Sequence, residues 1–163
     1  MGYSLGGYIA QAFTISHPDK VNSLTLVAST CGGKEGIDQP PEFKKLQYDD
    51  VANKTLNNIS LTVEEIKSLN SASLGSGWIK LHPESLEGFE NITSLRQLKP
   101  GLPPEIANNQ NNVGHAWTAS NWSGACDEEA KLAKPTLVIT GTDDNNYMPH
   151  GNALILASKI PGA

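Results

Sequence analysis

The first seven residues carry the pattern of a catalytic serine. Gly2-Tyr3-Ser4-Leu5-Gly6 is a G-x-S-x-G sequence, and it leads into residues with helical spacing. This combination is typical of a nucleophile elbow, a sharp turn between a strand and a helix that exposes a serine hydroxyl. Such a hydroxyl attacks a carbonyl carbon when a base removes its proton. We therefore expect Ser4 to be a nucleophile.

The residues around Ser4 suit the geometry of such a turn. The neighbours two positions away on either side approach the serine backbone closely, so we expect Gly2 and Gly6 to be required for their small size. Gly7 is expected to let the helix pack closely on the strand. The N–H of Leu5 is the candidate oxyanion-hole donor, because the first amides of a helix have no acceptor within it.

A second polar segment follows a hydrophobic run near the end of the chain. Residues 136–140, Thr-Leu-Val-Ile-Thr, predict a buried strand, and Gly141, Thr142, Asp143 and Asp144 come directly after it. A serine–histidine pair needs a carboxylate that orients the imidazole and stabilises the imidazolium. Asp144 is the expected acid, and Asp143 is the second candidate. The alternative interpretation is a simple polar turn.

The histidines are poorly placed to act as the base. His150 follows Asp144 by only six residues, at the head of a predicted helix, so we interpret it as a surface residue. Structural roles are favoured for the others, namely His17, His82 and His115. We therefore expect the histidine that would activate Ser4 to be encoded beyond Ala163.

Hydrophobic spacing predicts the elements that position these residues. The first helix should end at His17-Pro18, because proline cannot continue it. Its apolar face is expected to comprise Tyr8, Ile9, Ala12, Phe13 and Ile15. A buried parallel strand is predicted within residues 21–28, a capping-box helix from Thr62 to about residue 71, and a last helix over residues 152–159. Between these, weaker helical patterns cover residues 82–98 and 106–122, and a loop is expected at 100–104.

Composition limits the partners and cofactors. The chain has 163 residues and a net charge of −5, which argues against nucleic acid and anionic membranes as partners. No stretch is long enough for a transmembrane helix, and no signal-peptide pattern is visible, which leaves cytoplasmic and secreted locations open. No metal-binding or nucleotide-binding motif is present, so we expect no cofactor. The sequence carries no signal for an oligomeric state.

The cysteines and asparagines bear on the cellular compartment. Cys31 and Cys126 are either free core thiols or one bridge, and their spacing favours free thiols. Four N-x-[ST] sequons begin at Asn53, Asn58, Asn91 and Asn121. These sequons keep a secreted or surface location open.

In this order, the elbow, its helix, the strand and the acid loop resemble the α/β-hydrolase superfamily, in its group of lipase-, esterase- and haloperoxidase-like enzymes with a helical lid. The resemblance implies an α/β fold class: a partial α/β-hydrolase fold with about two parallel strands and a lid insertion. Residues 1–31 and 131–163 would form the core, and residues 32–130 the lid. The chain resembles an internal fragment of such an enzyme, without the first strands or the catalytic histidine.

The resemblance also implies a reaction. It suggests a serine hydrolase of small carboxylic esters or lactones that uses a Ser-Asp-His triad, with Ser4, Asp144 and a histidine from outside this chain. Haloperoxidase-like and C–C-bond hydrolases use the same triad. The alternative is a catalytically inactive, truncated relative that at most binds ligands.

Overall fold

The computed structural model describes residues 1–57, 59–88, 91 and 103–163, and its internal contacts divide the chain into two units. The sheet unit comprises Met1–Asp38, Asn112–Thr142 and Met148–Ala163. The helical unit comprises Gln39–Asn111 and Asp143–Tyr147.

This division differs from the sequence-based boundaries at residues 31 and 130. Residues 112–130 group with the sheet, because Ala125 and Cys126 belong to the same buried cluster as Leu24 and Leu26. The loop Asp143–Tyr147 groups instead with the helical unit.

The sheet has three parallel strands in the order β1-β2-β3, as expected for the fold class. They are β1 (Gly2–Tyr3), β2 (Leu24–Val27) and β3 (Thr136–Ile139). Gly2 pairs with Leu26, and Leu24 pairs with Thr136. The middle strand β2 therefore fixes the register of both of its neighbours.

The strands differ in burial. In β2, Leu24 and Leu26 are 3% and 0% exposed, in agreement with the predicted buried strand. In β3, Leu137 and Ile139 are 56% and 44% exposed, so the prediction of a fully buried strand is wrong. The exposed Leu137 and Ile139 alternate with the half-buried Thr136 and Val138, so one face of β3 is left open among the described residues.

The described helices are α1 (Leu5–Ser16), α2 (Pro41–Lys44), α3 (Asn53–Leu56), α4 (Val63–Ser73), α5 (Ser76–Leu81), α6 (Pro104–Thr118), α7 (Cys126–Glu129) and α8 (Gly151–Lys159). A π-helical segment, Lys45–Ala52, joins α2 to α3, and residues 83–88 are also helical. Within the described parts of the chain, no helix combines the length and the hydropathy needed to cross a bilayer.

Helix α1 ends at Ser16 with His17 as its C-cap, as predicted. Its predicted apolar face is right only in part, because Tyr8 is buried and Ile15 packs against the core, whereas other members are exposed. Ile9 and Phe13 are 61% and 48% exposed. The buried residues are Gly7, Tyr8, Gln11 and Thr14. The helix turns this small and polar face inward because the Gln11 amide donates hydrogen bonds to groups that follow β2.

Cys31 and Cys126 form a disulfide, so the expectation of free thiols is wrong. Their Cα atoms lie 4.9 Å apart, although 95 positions separate them in the sequence. The N–H of Ala125 donates to the carbonyl of Cys31 at 2.7 Å, which aligns the two segments. A pairing at this separation is set by the fold, which is why spacing alone did not reveal it.

The helical unit contains the predicted capping box. The N–H of Glu65 donates to the Thr62 hydroxyl at 3.2 Å, and the N–H of Thr62 donates to Glu65 Oε2 at 2.8 Å. The Lys54 ammonium, 2.7 Å from Glu65 Oε1, and these hydrogen bonds lower the pKa of the Glu65 carboxyl. The start of α4 is therefore confirmed.

The weaker helix predictions of the middle segment are met only in part. Of the helix expected over residues 82–98, residues 83–88 and 91 are helical. His82 precedes this helix, and the other residues of the range lie outside the described part of the chain. The loop expected at 100–104 also lies partly outside them, and Pro104 begins α6 instead. That helix ends at Thr118 and not at Trp122.

Candidate active site

Ser4 forms the turn between β1 and α1 and has a strained backbone. Its φ and ψ angles are 50° and −121°, a region that residues other than glycine rarely adopt. The N–H of Ser4 donates to the carbonyl of Val27 at 2.9 Å, and the N–H of Gly7 donates to the carbonyl of Ser4 at 2.8 Å. The strained conformation expected of an elbow serine is therefore present, held between β2 and the first turn of α1.

Two of the three neighbouring glycines are required by close contacts. A Cβ atom on Gly2 would lie 2.7 Å from the Cα of Gly7, and one on Gly7 would lie 2.6 Å from the Cβ of Ser29. A Cβ atom on Gly6 would meet no described atom within 4 Å, so the expectation that its small size is needed is wrong. The backbone at Gly6 lies on an open part of the first helical turn, whereas Gly2 and Gly7 face other segments.

The first turn of α1 leaves backbone donors free beside Ser4. The hydroxyl of Ser4 does not cap the helix, and the first turn contains no acidic residue. The N–H of Leu5 is among the first amides of α1, which have no acceptor within the helix and carry partial positive charge. An oxyanion that forms beside Ser4 would find a donor there.

Gln11 holds the elbow helix in place, a role that the sequence analysis missed. Its side chain is 0% exposed, and its amide nitrogen donates to the Gly7 carbonyl at 3.0 Å. The same nitrogen lies 3.2 Å from both the Ser29 hydroxyl and the Thr30 carbonyl. The signal was the spacing of four between Gly7 and Gln11, which puts both residues on one face of the helix.

Trp117 packs against the same helix. Its ring stacks on that of Tyr8 with centroids 5.1 Å apart, and its indole N–H donates to the Thr30 carbonyl at 3.0 Å. Trp122 contacts Trp117 edge-on at 5.5 Å. These two tryptophans therefore contribute to the packing of the sheet unit.

The two candidate acids lie in the helical unit and have different surroundings. Asp143 accepts hydrogen bonds from the Ser76 hydroxyl at 3.1 Å and from the Gly77 N–H at 3.3 Å. The Gly77 and Ser76 donors lower the pKa of the Asp143 carboxyl. Asp144, the next residue, is half-buried, whereas Asp143 is exposed. Asp143 thus has a structural task at the start of α5.

Three of the histidines have surroundings that can be described in detail. His17 stacks on Phe13 at 4.9 Å, and His82 stacks on Trp78 at 4.1 Å. His150 precedes α8 as predicted, but it is half-buried, and its Nδ1 has no hydrogen-bond partner among the described residues. The interpretation of His150 as a surface residue is therefore corrected. In the part of the chain that the structure describes, no group of three or more potential ligands could hold a metal ion.

A strained serine at a strand–helix turn of a three-stranded parallel sheet agrees with a comparison against protein families. A model of the alpha/beta hydrolase fold matches residues 1–163. The chain belongs to the alpha/beta-hydrolase family. This family membership confirms the resemblance drawn from the sequence.

The relatives of this alpha/beta hydrolase include a curated enzyme of Burkholderia vietnamiensis (strain G4 / LMG 22486), a 2-hydroxy-6-oxononadienedioate/2-hydroxy-6-oxononatrienedioate hydrolase. The two are 24% identical over 168 residues, which cover 100% of this chain and 51% of the relative. The chain therefore spans about half the length of this relative.

Solved structures show the same fold. One is a putative non-heme bromoperoxidase, BpoC, from Mycobacterium tuberculosis H37Rv, with a TM-score of 0.67, 19% identity, and coverage of 99% of this chain and 54% of that chain. Another is Est816, described as an N-acyl homoserine lactone degrading enzyme, with a TM-score of 0.65, 24% identity, and coverage of 99% and 55%. The alpha/beta-hydrolase fold of this chain is thus shared with proteins about twice its length.

Proposed function

We propose that Ser4 is the nucleophile of a serine hydrolase that acts on small carboxylic esters or lactones. The observation that carries the proposal is the backbone of Ser4, which has a φ of 50° and lies between hydrogen bonds to Val27 and Gly7, while its hydroxyl is not used as a helix cap. Strain of this kind is concentrated at functional sites. The lactone-degrading activity in the name of Est816 supports the substrate class.

The proposed reaction has two steps. A histidine takes the proton of Ser4 while the serine oxygen attacks the carbonyl carbon, and the N–H of Leu5 stabilises the resulting oxyanion. The C–O bond to the alcohol breaks, and the alcohol leaves with that proton. Water, deprotonated by the same histidine, then releases the carboxylic acid and restores the serine. Asp144 is assigned as the acid that orients the histidine, which we propose lies outside the 163 residues.

A second candidate is a non-catalytic relative that at most binds ligands. It is favoured by the surroundings of the described histidines, because His17 and His82 are both stacked on aromatic rings. A serine without a base remains a weak nucleophile at neutral pH. The two candidates therefore differ in whether a histidine is supplied to Ser4.

The first test is to read the coding sequence on both sides of the 163 residues. A glycine-rich loop upstream and a Gly-His loop downstream would support the hydrolase, whereas stop codons in both places would support the non-catalytic candidate. For the 163 residues alone, we expect negligible turnover of p-nitrophenyl acetate and no change in Ser4→Ala. A burst of p-nitrophenol that depends on Ser4 would contradict this expectation.

The second test uses a preparation in which the histidine loop is present. Ser4→Ala should lower kcat for p-nitrophenyl acetate by about 10³-fold or more, because a triad without its nucleophile retains little activity. Ser158→Ala is the matched control, since Ser158 is exposed on α8. Equal activity of the Ser4→Ala and Ser158→Ala variants would overturn the hydrolase proposal.

A further inference from the structure

The loop that contains Asp144 is anchored to the helices of the helical unit. Strand β3 ends at Ile139, and the next segment to group with the helical unit is Asp143–Tyr147. Asp144 lies inside this short segment, between two residues whose side chains contact helical-unit residues distant in sequence. These two residues, Asp143 and Tyr147, are the anchors of the loop.

The first anchor joins the loop to α5. The Oδ2 atom of Asp143 lies 3.1 Å from the Ser76 hydroxyl and 3.3 Å from the Gly77 nitrogen, and both groups donate to it. A carboxylate at this position satisfies an amide that the first turn of the helix leaves without an acceptor. The hydrogen bonds connect residues 66 and 67 positions apart, so they constrain the loop in a way that local turn geometry does not.

The second anchor joins the loop to α4 and to the start of α2. The hydroxyl of Tyr147 donates to the Leu69 carbonyl at 3.4 Å, and its ring contacts that of Phe43 edge-on at 4.6 Å. The backbone carbonyl of Tyr147 accepts a hydrogen bond from the Gln39 amide at 2.9 Å. Tyr147 is therefore held by its backbone, its ring and its hydroxyl, through three different parts of the helical unit.

We propose that Asp143 and Tyr147 are positioning residues that hold the acid loop, residues 143–147, against the helices of the helical unit. A displacement of α4 or α5 would then also displace Asp144. The inference rests on the proposed function, because it gives Asp144 the role of the acid. Asp143, with its carboxylate bound to Ser76 and Gly77, serves as the anchor and not as the acid.

The first experiment needs no catalytic activity. Hydrogen–deuterium exchange of the 163-residue chain is compared between wild type, Asp143→Ala and Asp143→Asn. Loss of the anchor should raise exchange about 5-fold both in residues 76–81 and in the loop 143–147, because one net hydrogen bond changes local opening by about that factor. Asp143→Asn keeps an acceptor oxygen and should restore most of the protection.

The matched control for this comparison is Asp19→Ala. Asp19 is also exposed and carries a surface ion pair with Lys20, but it lies in the sheet unit. This control should leave exchange in both segments unchanged. If Asp143→Ala accelerates exchange in residues 76–81 but not in the loop 143–147, the proposal is overturned. It is also overturned if exchange changes in neither segment.

The second experiment separates positioning from catalysis in a preparation with Ser4-dependent turnover. Asp143→Ala should lower kcat about 10-fold with little change in KM, because misplacement of a reacting group reduces the rate of the chemical step. Asp143→Asn should recover most of that loss, whereas Asp144→Asn should cost about 10⁴-fold. If Asp143→Asn is as damaging as Asp144→Asn, or if Asp143→Ala leaves kcat unchanged, the assignment of Asp143 is wrong.

The two experiments fail independently. If Ser4→Ala leaves turnover unchanged, the proposed function fails, and the exchange comparison still decides whether the loop is held by the helical unit. If Ser4 is essential but the loop exchanges independently of α5, the hydrolase proposal stands and the anchoring proposal is overturned.

Discussion

The side-chain oxygen of Asn152 accepts a hydrogen bond from the Thr30 hydroxyl at 2.8 Å, across 122 positions of sequence. The same oxygen accepts the N–H of Ile37 at 2.8 Å, and the amide nitrogen of Asn152 donates to the Ile37 carbonyl at 2.9 Å. Asn152 is 0% exposed, so one buried amide ties α8 to the segment that follows β2.

Removal of this amide should be costly. We expect Asn152→Ala to lower the free energy of unfolding by about 3 kcal/mol, because it leaves the buried Thr30 hydroxyl and the N–H and carbonyl of Ile37 without their partner. Urea denaturation followed by circular dichroism measures the change. Asn112→Ala, at an exposed position of α6, is the control and should stay within about 0.5 kcal/mol of wild type. Equal midpoints for the two variants would contradict the role of Asn152.

The elbow glycines provide a matched pair. Gly2→Ala should disrupt the turn, because its Cβ would lie 2.7 Å from the backbone of Gly7. Gly6→Ala should be neutral or stabilising, since its Cβ meets no described atom within 4 Å and alanine is favoured in a helix. Thermal denaturation of the two variants distinguishes them. A Gly6→Ala variant as unstable as Gly2→Ala would show that both positions need glycine.

The buried carboxyl of Glu129 should make stability depend on pH. Its side chain is 0% exposed, and neither carboxylate oxygen has a hydrogen-bond partner among the described residues. Burial raises the pKa of Glu129 to about 7. The unfolded chain releases this proton above its ordinary pKa of 4.5, while the folded chain retains it up to about pH 7. The free energy of unfolding should therefore fall by about 3 kcal/mol as the pH rises through this window, and then level off.

Glu129→Gln tests this expectation. The amide is neutral at every pH, so the variant should lose the fall in stability and be more stable than wild type at about pH 8. Glu128→Gln, on the same helix with a side chain 44% exposed, should keep the wild-type pH profile. Urea denaturation at about pH 5 and about pH 8 supplies the comparison. If Glu129→Gln kept the wild-type pH profile, the Glu129 carboxyl would not be the source of the pH dependence of stability.

The disulfide should contribute substantially to stability. Cys31 and Cys126 are 95 positions apart, and a cross-link that closes a loop of this size stabilises a protein by about 4 kcal/mol. Dithiothreitol should therefore lower the melting temperature of the wild type. The double variant Cys31→Ser/Cys126→Ser should melt at a lower temperature with no further effect of the reductant. A thiol titration that finds two reactive groups in the native oxidised protein would contradict the bridge.

Local signals in the sequence were sufficient where one element sets its own geometry. The elbow, the end of α1 before Pro18 and the capping box of Thr62 and Glu65 all depend on residues within a few positions of each other. The fold class followed from their order. These features could be predicted because backbone sterics and helix capping act over a single turn.

Pairings between distant segments could not be predicted. The inward face of α1 depends on what Gln11 meets after β2, and the exposure of Leu137 depends on which elements cover β3. The disulfide and the contacts of the loop 143–147 are likewise set by the three-dimensional arrangement. At the candidate site, the strained turn at Ser4 could be predicted from its motif, whereas the hydrogen bonds of Asp143 required the position of α5.

The strand order also has a consequence for the path of folding. Gly2 pairs with Leu26, 24 positions along the chain, whereas Leu24 pairs with Thr136, 112 positions away. Closing the longer loop costs about 1 kcal/mol more in chain entropy, and distant contacts form more slowly than near ones. We therefore expect β1, α1 and β2 to assemble first and β3 to join late. During synthesis, the strained turn at Ser4 would form while most of the helical unit is still unmade.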